Sequence, residues 1–153
     1  IMKFANETFI SSTFWTERVG PTAALNTLEV MKKIKSWKII ENKGIYFKDR
    51  LSNLVKKYDL PVNIFGSNGI PSFKFESKNN LKYKSFITQE MLKSEILASN
   101  VIYISVKHDQ NKMNNYFDCL EKVFHKIAEC EKGYDINKLL KYPVCHTTFQ
   151  RLN

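Results

Sequence analysis

Apolar positions along the chain fall into two helical stretches, two short extended stretches, and then a helix, a strand and a last helix. Leu25, Leu28, Met31 and Ile34 recur at helical spacing, so one face of a long helix is expected from Thr22 to about Glu41. Pro21 stands near its first turn, where a missing N–H costs nothing. Asn42-Lys43-Gly44 reads as a break, after which Phe47, Leu51, Leu54, Val55 and Tyr58 mark a second amphipathic helix ending before Pro61. Val62-Asn63-Ile64-Phe65-Gly66 and Ser72-Phe73-Lys74-Phe75-Glu76 flank the turn signal Ser67-Asn68-Gly69-Ile70-Pro71, which predicts an antiparallel strand pair. The polar run Ser77 to Lys82 reads as a loop. Thr88 is placed to cap a short helix holding Met91, Leu92, Ile96 and Leu97, and Val101 to Val106 reads as the clearest strand. Asp109 caps the best-patterned helix, with Met113, Tyr116, Phe117, Leu120, Phe124 and Ile127 on one stripe. A further short helix is expected around Ile136 to Leu140. This order predicts an α+β fold, a mainly antiparallel sheet covered on one face by helices.

Composition narrows the class. A chain of 153 residues, 43% hydrophobic and 13% aromatic, can bury a real core and is far from the disordered range. No apolar run reaches the roughly 20 residues of a bilayer span, and Ile1-Met2-Lys3-Phe4-Ala5-Asn6 lacks a signal-peptide core. Cys119, Cys130 and Cys145 form neither an even disulfide framework nor a metal-binding pair, so a soluble, cytoplasmic protein without a membrane partner is expected. The net charge of +9 comes almost wholly from lysine, with arginine only at Arg18, Arg50 and Arg151. Lysines spread along the chain among acidic residues read as a solvated surface rather than a nucleic-acid face. A free-standing basic module binding nucleic acid is the competing reading, resting on that charge and on aromatics expected to be exposed, such as Tyr46 or Tyr83.

The usual catalytic patterns are missing: no glycine-rich phosphate loop, no HExxH, no GxSxG. His125 is expected on the flank of the last helix and His108 in solvent at the end of a strand, so no metal site is expected. Cys145-His146 could be read as nucleophile and base, but adjacent side chains rarely face one another.

One stretch does carry a specific signal: Phe9-Ile10-Ser11-Ser12-Thr13-Phe14-Trp15-Thr16-Glu17-Arg18-Val19-Gly20-Pro21-Thr22-Ala23-Ala24-Leu25. It resembles the segment that follows the catalytic lysine in class III aminotransferases, especially those similar to glutamate-1-semialdehyde 2,1-aminomutase. The passages Phe86 to Asn100 and Pro143 to Asn153 are similar to later parts of the same family. The chain departs from the common form in having Ser12-Thr13 and a longer bridge to Gly20-Pro21, which turns the expectation from the aminomutase itself to an aminomutase-like aminotransferase.

The resemblance implies the small C-terminal domain of a fold-type I enzyme dependent on pyridoxal 5'-phosphate (PLP). Residues 1–21 would be the segment contacting the cofactor phosphate, 22–42 a linking helix, and 43–153 the small α+β domain. Thr13, with Ser12, would donate to the cofactor phosphate of a neighbouring subunit, and Arg18 and Arg151 are candidates for a substrate carboxylate. The partners implied are a small-molecule amino donor or acceptor and, for the full-length enzyme, a second copy in a homodimer. The family's lysine precedes the threonine in a glycine-rich context, whereas Lys3 is the sole lysine before Thr13 and its surroundings do not match. The chain is therefore expected to be a C-terminal fragment, beginning with Ile rather than Met, that lacks the catalytic lysine and is inactive alone.

Overall fold

The structure, a computed structural model, describes residues 17–146. Four α-helices and two strands follow in the order α1 (Val19–Ile34), α2 (Ser36–Lys57), β1 (Val62–Phe65), β2 (Ser72–Phe75), α3 (Asn80–Leu92) and α4 (Gln110–Glu131), with a 3-10 turn at Ile136–Lys138. The described residues fall into two compact units, one ending at Ser36 and the other beginning at Trp37.

In the first unit α1 has the expected period, yet none of its residues is buried, and Leu25 and Leu28 are 64% and 59% exposed. It stops where no break was expected. Lys35 turns left-handed at φ 52°, and its N–H closes the helix end on the carbonyls of Lys32 and Met31. The helix expected to run unbroken from Thr22 to Glu41 is thus two helices, and Asn42-Lys43-Gly44 lies inside α2. Gly44 is needed there for a reason that is not local: a Cβ on it would stand 1.8 Å from the carbonyl oxygen of Asn68 in the β1–β2 loop. Glycine lets that loop lie against the helix.

The second unit is built around β2. β1 and β2 pair antiparallel, Val62 opposite Phe75 and Phe65 opposite Ser72, as the alternation predicts. Phe73 and Phe75 face a core that includes Phe47 and Leu51 of α2, Tyr83 and Ile87 of α3, and Leu120, Phe124 and Ile127 of α4. The ring of Phe124 meets those of Phe73 and Phe75 edge-on at 6.0 and 5.8 Å, and Phe47 packs on Phe117 at 4.8 Å. Burying such a side chain contributes about 1.5–3 kcal/mol, so these few rings carry much of the unit's stability. The α4 stripe and its Asp109 cap, which accepts from the Lys112 N–H at 2.9 Å, stand as expected.

Two other expectations change. Val101–Val106 is not a strand. It runs along the free edge of β2 and makes one bridge, Val101 to Ser72, with Phe73 N–H donating to Asn100 and Ile102 N–H to Pro71. Pro71 has no N–H to return to Ile102, so that rung stays single, and the next, from the Ile104 N–H to the Gly69 carbonyl at 3.0 Å, is single too. The run read as a loop, Ser77 to Lys82, includes the first turn of α3, and Thr88 sits inside that helix rather than capping it. Its hydroxyl donates to the carbonyls of Lys84 and Ala98. Among the described residues no helix is long and apolar enough to cross a membrane.

Candidate functional site

Of the residues singled out from sequence, Ser12, Thr13 and Arg151 lie outside the described residues. Arg18 is the N-cap residue of α1 and is exposed; its carbonyl accepts from the Thr22 N–H at 3.0 Å, and its side chain makes no capping bond. Pro21, in the first turn, contributes no N–H. That turn carries no acidic residue of its own, although the Glu17 carboxylate stands beside it, 3.5 Å from where a Cβ on Gly20 would lie, and offsets part of the positive end of the helix dipole. A cationic side chain and an uncapped helix start therefore stand together just after the Ser12-Thr13 hydroxyls in sequence.

The second ordered feature is the tail after α4. Beyond the 3-10 turn, the backbone from Leu139 to Cys145 crosses α3, held by polar side chains of that helix. Gln89 is 9% exposed and uses both ends of its amide. Nε2 donates to the Leu139 carbonyl at 3.0 Å and to Glu90 Oε1 at 2.7 Å, while Oε1 accepts from the Lys141 N–H at 2.7 Å. One turn earlier, Ser85 Oγ accepts from the Cys145 N–H at 2.9 Å. Neither Gln89 nor Ser85 could be found from sequence, because each bonds backbone more than 50 residues away.

The remaining candidates resolve to structural roles. The Cys145 thiol is directed at the Leu81 carbonyl, 3.7 Å away, rather than at its neighbour His146. His125 flanks α4, 3.8 Å from Glu129, with its ring edge-on to Tyr58. His108, expected in solvent, is half-buried; its Nδ1 accepts from the Ser105 N–H at 3.2 Å. Burial, and then the charges of Lys43 and Lys112, push its pKa down and favour the neutral ring. Among the described residues no group of His, Cys, Asp and Glu could hold a metal ion.

Comparison with known proteins bears on this arrangement. No family model matches the chain. The sequence is 24% identical over 135 residues to the 3-aminobutyryl-CoA aminotransferase of Cloacimonas acidaminovorans (strain Evry), covering 84% of this chain and 31% of that protein. The fold matches the PLP internal aldimine form of the FumI protein of Sphingopyxis sp. MTA144 with a TM-score of 0.74, over 91% of this chain and 34% of that one, at 15% identity. The chain thus spans about a third of the length of either protein. The first comparison makes it a homologue of an aminotransferase over most of its length; the second speaks for its fold.

Proposed function

We propose that this chain is the small-domain portion of a PLP-dependent, class III aminotransferase, and that the enzyme acts as a homodimer on a small-molecule amino donor and acceptor. The 135-residue similarity to an aminotransferase carries the reading, and the likeness to a PLP-holding protein supports the cofactor. The curated relative's name favours amino-group transfer between molecules over an aminomutase reaction.

PLP, when bound, supplies the electron sink on which amino-group transfer depends. This chain's residues would hold and orient it. Thr13 and Ser12 would donate hydroxyl hydrogen bonds to its phosphate, beside the uncapped first turn of α1, where hydrogen bonding and dipole both favour a dianion. Arg18 and Arg151 would meet a substrate carboxylate, which a planar guanidinium can grip with two parallel N–H groups. The apolar stripe of α1, unburied among the described residues, suits a helix that packs against the rest of such an enzyme. The proton-transferring lysine would come from outside these 153 residues.

The test is a cofactor titration of the full-length protein and of this chain alone. The full-length protein should develop a visible absorbance band with PLP and transfer amino groups, and this chain should do neither. Thr13→Ala in the full-length protein should weaken PLP binding about tenfold or more, the equivalent of one charge-assisted hydrogen bond. A lysine-dependent band on this chain alone, or unchanged PLP affinity in Thr13→Ala, would refute the assignment.

A further inference from the structure

The tail that Gln89 and Ser85 hold across α3 does not pack down onto the helix. Between its anchors at Lys141 and Cys145 it leaves a cleft of about 450 Å³, within the size range of small-molecule sites. Leu92, Leu140 and Pro143 supply apolar walls, and Leu92 is 56% exposed, so the walls are open to a ligand. At both anchors a backbone N–H donates to a side chain of a regular helix, the buried Gln89 amide and the Ser85 hydroxyl, so the cleft exists before anything binds, and little ordering entropy remains to be lost.

Three lysines line the same cleft: Lys84, Lys93 and Lys141. Glu90 answers one of them, with both carboxylate oxygens 2.6 Å from Lys93 Nζ. Burial would raise the Glu90 carboxyl, but the hydrogen bonds from Lys93 and Gln89 and the nearby charge of Lys141 hold it below the usual carboxylate range, so it stays ionised. Among the described residues Lys84 and Lys141 make no ion pair. The walls therefore favour an apolar body and the rim an anion, and lysine stems can cover apolar surface while their charges remain in water.

We propose that the cleft between α3 and residues 140–145 binds a small organic anion, a carboxylate, sulfonate or phosphate ester carrying an apolar body of about one or two rings. The inference does not depend on the aminotransferase reading.

The test is an NMR titration of the ¹⁵N-labelled 153-residue chain with 1-anilinonaphthalene-8-sulfonate and with N-phenyl-1-naphthylamine, the same rings without the anion. The sulfonate should give saturable shifts at the Lys141 and Cys145 amides and the Gln89 side chain, and bind at least tenfold tighter than the neutral analogue. Lys84→Glu combined with Lys141→Glu should weaken the sulfonate at least tenfold and leave the neutral compound unchanged. Lys84→Gln with Lys141→Gln should fall between, and unchanged spectra away from the cleft check folding. Shifts confined to the apolar face of α1, no saturation, or equal binding by the double Glu variant would overturn the proposal.

Discussion

Replacing Gly44 by alanine sets two effects of opposite sign against each other. Gly44 is buried inside α2, where alanine favours the helix over glycine by about 1 kcal/mol. Against this, the new Cβ would stand 1.8 Å from the Asn68 carbonyl oxygen and 2.9 Å from its Cα. A carbon–oxygen contact needs roughly 3.3 Å, so the loop would have to retreat by about 1.5 Å. It is not free to do so. Asn68 Nδ2 donates to Glu41 at 2.6 Å, Lys48 Nζ to the Gly66 carbonyl at 2.7 Å, and the Ile104 N–H to the Gly69 carbonyl at 3.0 Å. Overpacking of this kind costs about 1–3 kcal/mol, and each hydrogen bond lost adds about 1 kcal/mol. After the propensity gain is subtracted, Gly44→Ala should destabilise the chain by about 2 kcal/mol. In urea denaturation followed by circular dichroism, with an m-value of about 2 kcal/mol/M, the midpoint should fall by about 1 M. Asn42→Ala, on an exposed position of the same helix, should raise stability by a few tenths of a kcal/mol. A Gly44→Ala midpoint equal to or above that of the parent would show that propensity wins, and would refute the close approach of loop and helix.

Tyr83, expected to be exposed, is buried, and its hydroxyl donates to Glu131 at 2.5 Å; burial first, then that bond, push its pKa up to about 12. Because the folded value lies above the unfolded one of about 10, its contribution is whole below pH 10 and lost as pH rises to about 12. Tyr83→Phe should lower stability by about 1–2 kcal/mol at neutral pH and flatten the fall of the urea midpoint over the alkaline range; an unchanged alkaline slope counts against the assignment. Glu95 is exposed and held left-handed at φ 60° after α3, so Glu95→Gly should gain up to about 1 kcal/mol and raise the thermal midpoint by roughly 2–4 °C, and a lowered midpoint would contradict this. Gln89→Leu leaves the Leu139 carbonyl and Lys141 N–H without their partner; a loss of about 2 kcal/mol and at least tenfold faster hydrogen exchange at the Lys141 amide are expected. Unchanged protection there would mean that the tail is held by something else.

Much of the fold was legible because its patterns are local. The α4 stripe needs only spacing, Asp109 only its place before that stripe, and the β1–β2 hairpin only alternation around a turn. The start of α3 is legible too: Tyr83, Phe86, Ile87 and Met91 recur at helical spacing and are all buried, so the apolar period begins at Tyr83. The end of α1 was not. Ile34-Lys35-Ser36 contains no glycine, proline or asparagine, and helix-forming residues lie on both sides, so a left-handed lysine there has no local signal. The candidate site divides in the same way. Ser12, Thr13 and Arg18 were picked out by a contiguous motif, whereas Gln89 and Ser85 act on backbone whose position only the folded chain defines.

Gly44 and Pro71 show how punctuation residues act on segments far from their own. Both were read through their intrinsic preferences, glycine as the end of a helix and proline as part of a turn. Glycine's cost inside a helix is about 1 kcal/mol, small enough for a contact requiring bare backbone to outweigh it, and the contact with Asn68 is of that kind. Pro71 does stand in the turn before β2, but its larger effect falls on a segment 30 residues later. By withholding one N–H it leaves Val101–Val106, whose composition favours a strand, with a single bridge to the sheet. Substituting Pro71 by valine would restore the donor opposite Ile102, and lengthening of that ladder, seen as new amide protection at position 71, is the consequence to look for.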